Sequence, residues 1–243
     1  MNELVKEKEI LEPVLRILKR LGVCWWLDQG TLLGVIRDGD LLPWDDDIDI
    51  SVWHEEFHHK MDSFLELCLN EGIRVQVNPW SVKLVLDDRS CGYRPVDIEF
   101  YSRDRRQAIK VLRSKESGSF LGLCKAIVFH YLGRLGELDF QAPSGRLKRL
   151  VAGGIRVLLP KPIRSCISNW AYIRQQTVSM SVESTYFDSL ITLNLAGFNL
   201  NVPSNSEGLL KKKYGPDWMT PKRDWNHMKD DGTIIISNKK PFK

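Results

Sequence analysis

The chain has 243 residues, 43% of them hydrophobic and 27% charged, with a formal net charge of +4. That length suits one large domain or a core with an insert, and the composition is ordinary for a globular protein. The modest charge does not imply nucleic acid, the five scattered cysteines contain no Cys-x-x-Cys pair for a zinc ribbon or redox motif, and no run of about 18 apolar residues marks a membrane span.

The N-terminal "MNELVKEKEILEP" is charged and lacks an apolar signal core. Reduced cysteines and this N-terminus fit a cytoplasmic protein. Leu11, Val14, Leu15, Leu18 and Leu21 recur at helical spacing, which predicts an amphipathic helix over 3–21 ended by Gly22. "VCWWLDQ" reads as a short buried strand, and "GTLLGVIRDG" as a turn opening a short helix. An acidic run follows, Asp45, Asp46, Asp47 and Asp49, leading into "IDISVW" as a strand. "HEEFHHKMDSFLELCLNEG" is helical, with Phe57, Met61, Phe64, Leu65 and Cys68 on one face. "IRVQV" and "SVKLVLDD" suit a hairpin around Asn78-Pro79. In "PVDIEFY", a further strand, Val96, Ile98 and Phe100 share one face, and Asp97 and Glu99 the other.

Residues 118–138 look helical. The stretch 141–182 has no acidic residue but carries Arg146, Lys148, Arg149, Arg156, Lys161, Arg164 and Arg174. With "VLLPKPI" among those charges, it is expected to touch an anionic membrane surface or a lipid-linked glycan; a solvated insert is the plainer reading. A Ser/Asn-rich helix start at 204–206 and a short helix precede a Gly-Pro turn at 215–216. This order predicts an α/β (α+β) fold, a mixed sheet flanked by helices with a basic helical insert. The expected division is a catalytic core over 1–112, a basic, mostly helical insert or acceptor-side region over 113–184, and a C-terminal part over 185–243 that completes the core.

Asp47 and Asp49 alternate with Ile48 and Ile50. On a strand both carboxylates project from one face while the isoleucines pack inward. Two neighbouring carboxylates suit a hard divalent cation such as Mg²⁺, which takes oxygen ligands and shares substrate phosphates. If the strand of Asp97 lies alongside, Asp97 completes a three-carboxylate site. A solvated acidic loop is the plainer reading, but Trp44, Ile48, Ile50 and Val52 interleave the acids. An EF-hand is excluded because Ile50 stands where its glycine must be. Gly30-Thr31, between a strand and a helix, could hold a phosphate on backbone N–H groups, or simply cap the helix. His54 and His58 stand four apart without a third ligand and read as surface histidines.

The string "LDQGTLLGVIRDGDLLPWDDDIDI", followed by "VDIEF" and "KKYGPDWMTP", resembles the LicD/fukutin-related branch of the nucleotidyltransferase-fold superfamily. The resemblance spans about residues 23–101 and 200–221. It implies a nucleotidyltransferase-like fold and a transferase of phosphocholine or polyol phosphate. The donor would be CDP-linked, the acceptor a cell-surface glycan or its lipid-linked precursor, and Mg²⁺ (or Mn²⁺) the cofactor. By the same resemblance Asp47, Asp49 and Asp97 are the metal ligands, with Asp97 also the candidate base. Gly30 and Thr31 would contact donor phosphates, and Arg37 would neutralise phosphate charge or fix its loop. Asp45 would support the metal loop, Asp46 would be exposed, and Asp28 would support the Gly-Thr turn or act structurally. A lipid-linked acceptor would bring the chain to the inner face of a membrane. The alternative is a nucleotidyltransferase that modifies a protein, RNA or small molecule with NMP from an NTP.

Overall fold

The computed structural model describes residues 2–78, 80–86, 92–115, 176–222 and 224–237. The chain divides into two compact units, Met1–Val111 with Ser179–Ile235, and Leu112–Val178 with Ile236–Pro241. The candidate functional residues belong to the first.

The N-terminal amphipathic segment is two helices, α1 (Glu3–Lys6) and α2 (Lys8–Arg20), separated at Glu7. Glu7 is buried, and its carboxylate accepts from the Arg94 backbone N–H at 2.9 Å. Asp40 caps α1, accepting from the N–H groups of Glu3 and Leu4 at 2.8 and 2.9 Å. Ile10, Leu11, Val14, Ile17 and Leu18 form the buried stripe of α2. Gly22, at φ +60, turns the chain out of it.

Next come β1 (Trp25–Leu27), α3 (Gln29–Arg37) and β2 (Ile48–Trp53). The second helical segment is also two helices, α4 (His54–His58) and α5 (Met61–Asn70), parted at His59 and Lys60. The expected hairpin is β3 (Ile73–Asn78) with β4 (Ser81–Leu86). Then follow β5 (Val96–Asp104), β6 (Gln107–Lys115) and β7 (Gln176–Glu183). A 3₁₀ turn at Ser184–Phe187 leads to a separate hairpin, β8 (Leu190–Leu195) and β9 (Phe198–Pro203). The chain closes with α6 (Ser206–Tyr214), α7 (His227–Asp230) and β10 (Ile234–Ser237). The helix expected over 118–138 and the basic stretch up to residue 175 lie outside the described residues, while 176–183 is strand β7. Among the described residues no helix is long and apolar enough to cross a membrane.

The larger sheet is mixed. Its strands run β1-β2-β5-β6-β7-β10, with β4 and then β3 joined to β5 as well. β2 and β5 are parallel, while β1, β4 and β6 pair with their neighbours antiparallel. β5 is the pivot. One edge follows β2 from Val96 to Tyr101; the other pairs with β4 over Val96–Glu99 and with β6 over Tyr101–Asp104.

Strand alternation then sorts the side chains. Ile48, Ile50, Val52, Val82, Leu84, Val96, Ile98 and Phe100 form a buried apolar set. Phe57 of α4 and Phe64 of α5 extend it, with ring centroids 5.7 Å from Phe57 to Phe100 and 5.0 Å from Phe57 to Phe64. The opposite face carries Asp49, Ser51 and Trp53 on β2, and Asp97, Glu99 and Tyr101 on β5. At its far end Trp53 and Tyr101 pack with Trp26 and Phe187, the last two stacked at 4.6 Å. Each such buried aromatic contributes about 1.5–3 kcal/mol. The face is therefore apolar where the strands end and polar where they begin.

Candidate active site

Asp49 of β2 and Asp97 of β5 are register partners on adjacent parallel strands. Neighbours in register share a face, so the expected pairing of these two carboxylates holds in the fold. Asp47, two residues before Asp49, interacts electrostatically with both.

This crowding shows in the proton affinities. Burial first, then Asp45 and Asp97, pushes the Asp47 carboxyl up to about 6. Burial, then Glu99 and Asp47, holds Asp49 well above the carboxylate range. Asp97 is raised by burial, against the pull of Lys83. Asp45 is raised by burial and by Asp46. A cation beside these four acids would ease their ionisation. One oxygen each from Asp45, Asp46 and Asp47 lie within 4.8 Å of one another. Asp97 Oδ1 is buried without a hydrogen-bond partner among the described residues. An oxygen-only donor set with an orphaned carboxylate oxygen fits a hard divalent ion.

Behind the acids lies a buried ion-pair network that the sequence reading did not assemble. Lys110 of β6, opposite Tyr101 in register, is fully buried. Its Nζ donates to Asp28 Oδ2 at 2.8 Å and also to Glu99. Ser51 Oγ donates to the same Asp28 oxygen at 2.9 Å. Burial opposes the Asp28 charge, but Lys110 and then Lys213 outweigh it and hold the carboxyl below its ordinary range. Lys213 of α6, also buried, pairs with Asp231 at 3.2 Å and donates to Gln29 Oε1. The sequence did carry a signal for Lys110, a lone lysine in the otherwise apolar "AIKVL".

The turn from β1 into α3 shapes the upper edge of the site. Asp28 is the N-cap of α3 and accepts from Gln29 N–H at 2.8 Å. Gln29 sits at φ 52, a left-handed conformation that strains a non-glycine residue by about 1–3 kcal/mol. Its side chain is gripped by Lys213 and Met180. Gly30 permits a close approach: a Cβ there would stand 2.1 Å from Asp45 Oδ2, so that side chain would have to move. The carboxylate of Asp45 thus lies at the start of α3, where a phosphate was expected. Thr31 is buried, and its Oγ accepts from the Asp49 backbone N–H at 2.8 Å. It fastens α3 to β2.

Arg37 stands at the other end of α3, about 10 Å along the axis from Gly30 at 1.5 Å per residue. Its Nε and Nη2 both donate to the carboxylate of the adjacent Asp38, at 2.8 and 2.7 Å. Trp44 is 56% exposed. Ile48, Ile50 and Val52, not Trp44, therefore anchor the acidic segment in the core. Asp46 is exposed, and His54 and His58 stack on each other at 5.4 Å.

Residues 22–83 match the family described as LicD/FKTN/FKRP, nucleotidyltransferase domain. Over 228 residues the chain is 25% identical to the lipopolysaccharide cholinephosphotransferase LicD of Haemophilus influenzae, spanning 90% of this chain and 77% of that protein. Over 49 residues it is 41% identical to human ribitol 5-phosphate transferase FKRP, covering 20% of this chain and 10% of that one. The first curated relatives are longer: the chain spans 34% of a Rickettsia typhi relative's length and 10% of either FKRP protein's. Among solved structures, the antibiotic-resistance factor ANT(2'')-Ia aligns over 68% of this chain and 90% of its own, at 15% identity and a TM-score of 0.32.

Proposed function

We propose that the chain is a LicD/fukutin-related enzyme, a metal-dependent phosphoalcohol transferase, on the support of the domain match at residues 22–83 and the similarity to LicD and FKRP. It would move phosphocholine or a polyol phosphate from a CDP-linked donor to a hydroxyl of a cell-surface glycan or its lipid-linked precursor. The observation that carries this reading is the Asp49–Asp97 register pair on parallel strands, with Asp47 beside it. Such a face suits a substrate rich in phosphate charge, brought there together with a cation.

Asp47, Asp49 and Asp97 would hold Mg²⁺ or Mn²⁺, whose chemistry when bound is Lewis-acid polarisation of the donor's pyrophosphate. Asp97 has one unpaired oxygen, so of its two expected roles, ligand and base, we assign it the ligand's. Phosphoryl transfer is governed more by positioning and charge than by covalent help from the protein. The acceptor oxygen bonds to the distal phosphorus, the bridging P–O bond breaks, and CMP leaves with that electron pair. The hydroxyl proton passes to solvent. A donor phosphate could reach the Gly30 backbone only by displacing the Asp45 carboxylate, and the Thr31 oxygen already accepts from the Asp49 N–H. A lipid-linked acceptor would place the chain at the inner face of a membrane.

A donor screen with Mg²⁺ or Mn²⁺ tests the reading by following CMP release from CDP-choline, CDP-ribitol and CDP-glycerol. Release from one donor, abolished in Asp47→Ala and Asp49→Ala, is expected. CMP release that persists in both variants would sink the metal assignment.

A further inference from the structure

Asp49 of β2, Asp97 of β5 and Lys83 of β4 form one register row across three neighbouring strands. Val82 and Leu84 on either side of Lys83 are buried in the apolar core, so alternation commits Lys83 to the carboxylate face. Its backbone is paired on both edges, with Gln76 of β3 and Asp97 of β5. Lys83 Nζ donates to Asp97 Oδ2 at 3.0 Å, while Oδ1 of the same carboxylate is buried without a partner among the described residues. Asp97 is thus a divided ligand: one oxygen is tied to a lysine, the other is open.

Denticity separates the common hard cations. Mg²⁺ takes single oxygens in near-octahedral geometry, whereas Ca²⁺ accepts about six to eight oxygens and often both from one carboxylate. We propose that Lys83 is a positioning residue that sets cation selectivity: by occupying Asp97 Oδ2 it makes Asp97 a single-oxygen ligand and biases the site toward a small octahedral ion over Ca²⁺. This inference rests on the metal reading given above. Partners that orient a ligand from behind commonly alter metal affinity by about 10–100-fold. The Lys83 side chain is 35% exposed, so shortening or neutralising it opens no core cavity.

The simpler role for Lys83 is charge balance alone. Mg²⁺ and Ca²⁺ carry the same charge, so losing a neighbouring positive charge would strengthen both by a similar factor. General damage to the fold would weaken both. A change of denticity moves their ratio, which neither of these two effects does.

The test is calorimetric titration of the metal-stripped full chain with Mg²⁺ and, separately, Ca²⁺, for wild type, Lys83→Met and Lys83→Arg. In Lys83→Met the Ca²⁺ to Mg²⁺ affinity ratio should rise about tenfold. Lys83→Arg, which can still donate to Oδ2, should keep the wild-type ratio. A ratio unchanged or lowered in Lys83→Met, or raised equally in Lys83→Arg, would overturn the proposal while leaving the metal site standing. Failure of wild type to bind either ion would overturn both.

Discussion

Asp28 is the residue on which the interior of the site depends most. It caps α3, accepts from Ser51 and shares the buried Lys110 with Glu99. Asp28→Asn would leave the Lys110 charge buried with one acidic partner fewer, at a cost of about 3–5 kcal/mol in urea unfolding. A loss under about 1 kcal/mol, as for an exposed pair, would contradict the network. The pH dependence has a definite sign. The native Asp28 carboxyl is held below its ordinary value, so its stabilisation is complete above the unfolded value of about 3.9 and is lost as pH falls below it. Wild type should therefore lose stability more steeply below about pH 4 than Asp28→Asn. Little of this was legible beforehand. The sequence showed Asp28 beside the Gly-Thr turn, but its partner Lys110 lies 82 positions away. Thr31 illustrates the same limit: its place in the first turn suited a phosphate, and only the fold turns its oxygen to β2.

At the scale of elements, α3 and the acidic loop that follows are packed through two glycines with different tolerances. At Gly34 a Cβ would meet backbone atoms, the Asp40 oxygen at 2.6 Å and the Leu42 nitrogen at 2.9 Å. Gly34→Ala should therefore destabilise the fold by about 1–3 kcal/mol, as overpacking does. At Gly30 the obstacle is the end of the Asp45 side chain. Gly30→Ala should cost less in melting temperature but weaken Mg²⁺ binding several-fold by displacing that carboxylate. Equal effects of the two variants on both readouts would contradict this division. The strands of the site were legible because "IDIS" and "VDIEF" alternate with period two. Helix continuity was not: Glu7 interrupts the first helical segment and His59–Lys60 the second, although apolar spacing runs on through both. β8 gave a weak signal because residues on both of its faces are exposed, whereas β9 buries Phe198, Leu200 and Val202 in turn, a period-two signal that the sequence did carry.

At the scale of the molecule, the polar end of one sheet face gathers acids from β2, β5 and the loop before β2, backed by lysines from β4, β6 and α6. Sequence motifs identified the acids, since they cluster locally and carry the family resemblance. The lysines come singly from distant strands and helices, so only topology unites them. Burial first, and repulsion from neighbouring acids second, makes it costly to charge Asp45, Asp47, Asp49 and Asp97 without a cation. Saturating Mg²⁺ should accordingly raise the melting temperature by several degrees, about 2.7 kcal/mol of stabilisation at a hundredfold excess over Kd. Asp46→Asn should preserve that rise and Asp49→Asn should remove it. Loss of the rise in Asp46→Asn would instead assign the ion to the Asp45–Asp46–Asp47 oxygen cluster.

The central claim is the transfer of the distal phosphoalcohol group, and ³¹P NMR of the reaction mixture tests it most directly. With a CDP-alcohol, a glycan acceptor and Mg²⁺, CMP and a new phosphodiester should appear in equal amounts and vanish on chelation of the metal. Pyrophosphate released from an NTP, with the nucleotide joined to the acceptor and no CMP from any CDP-alcohol, would contradict it.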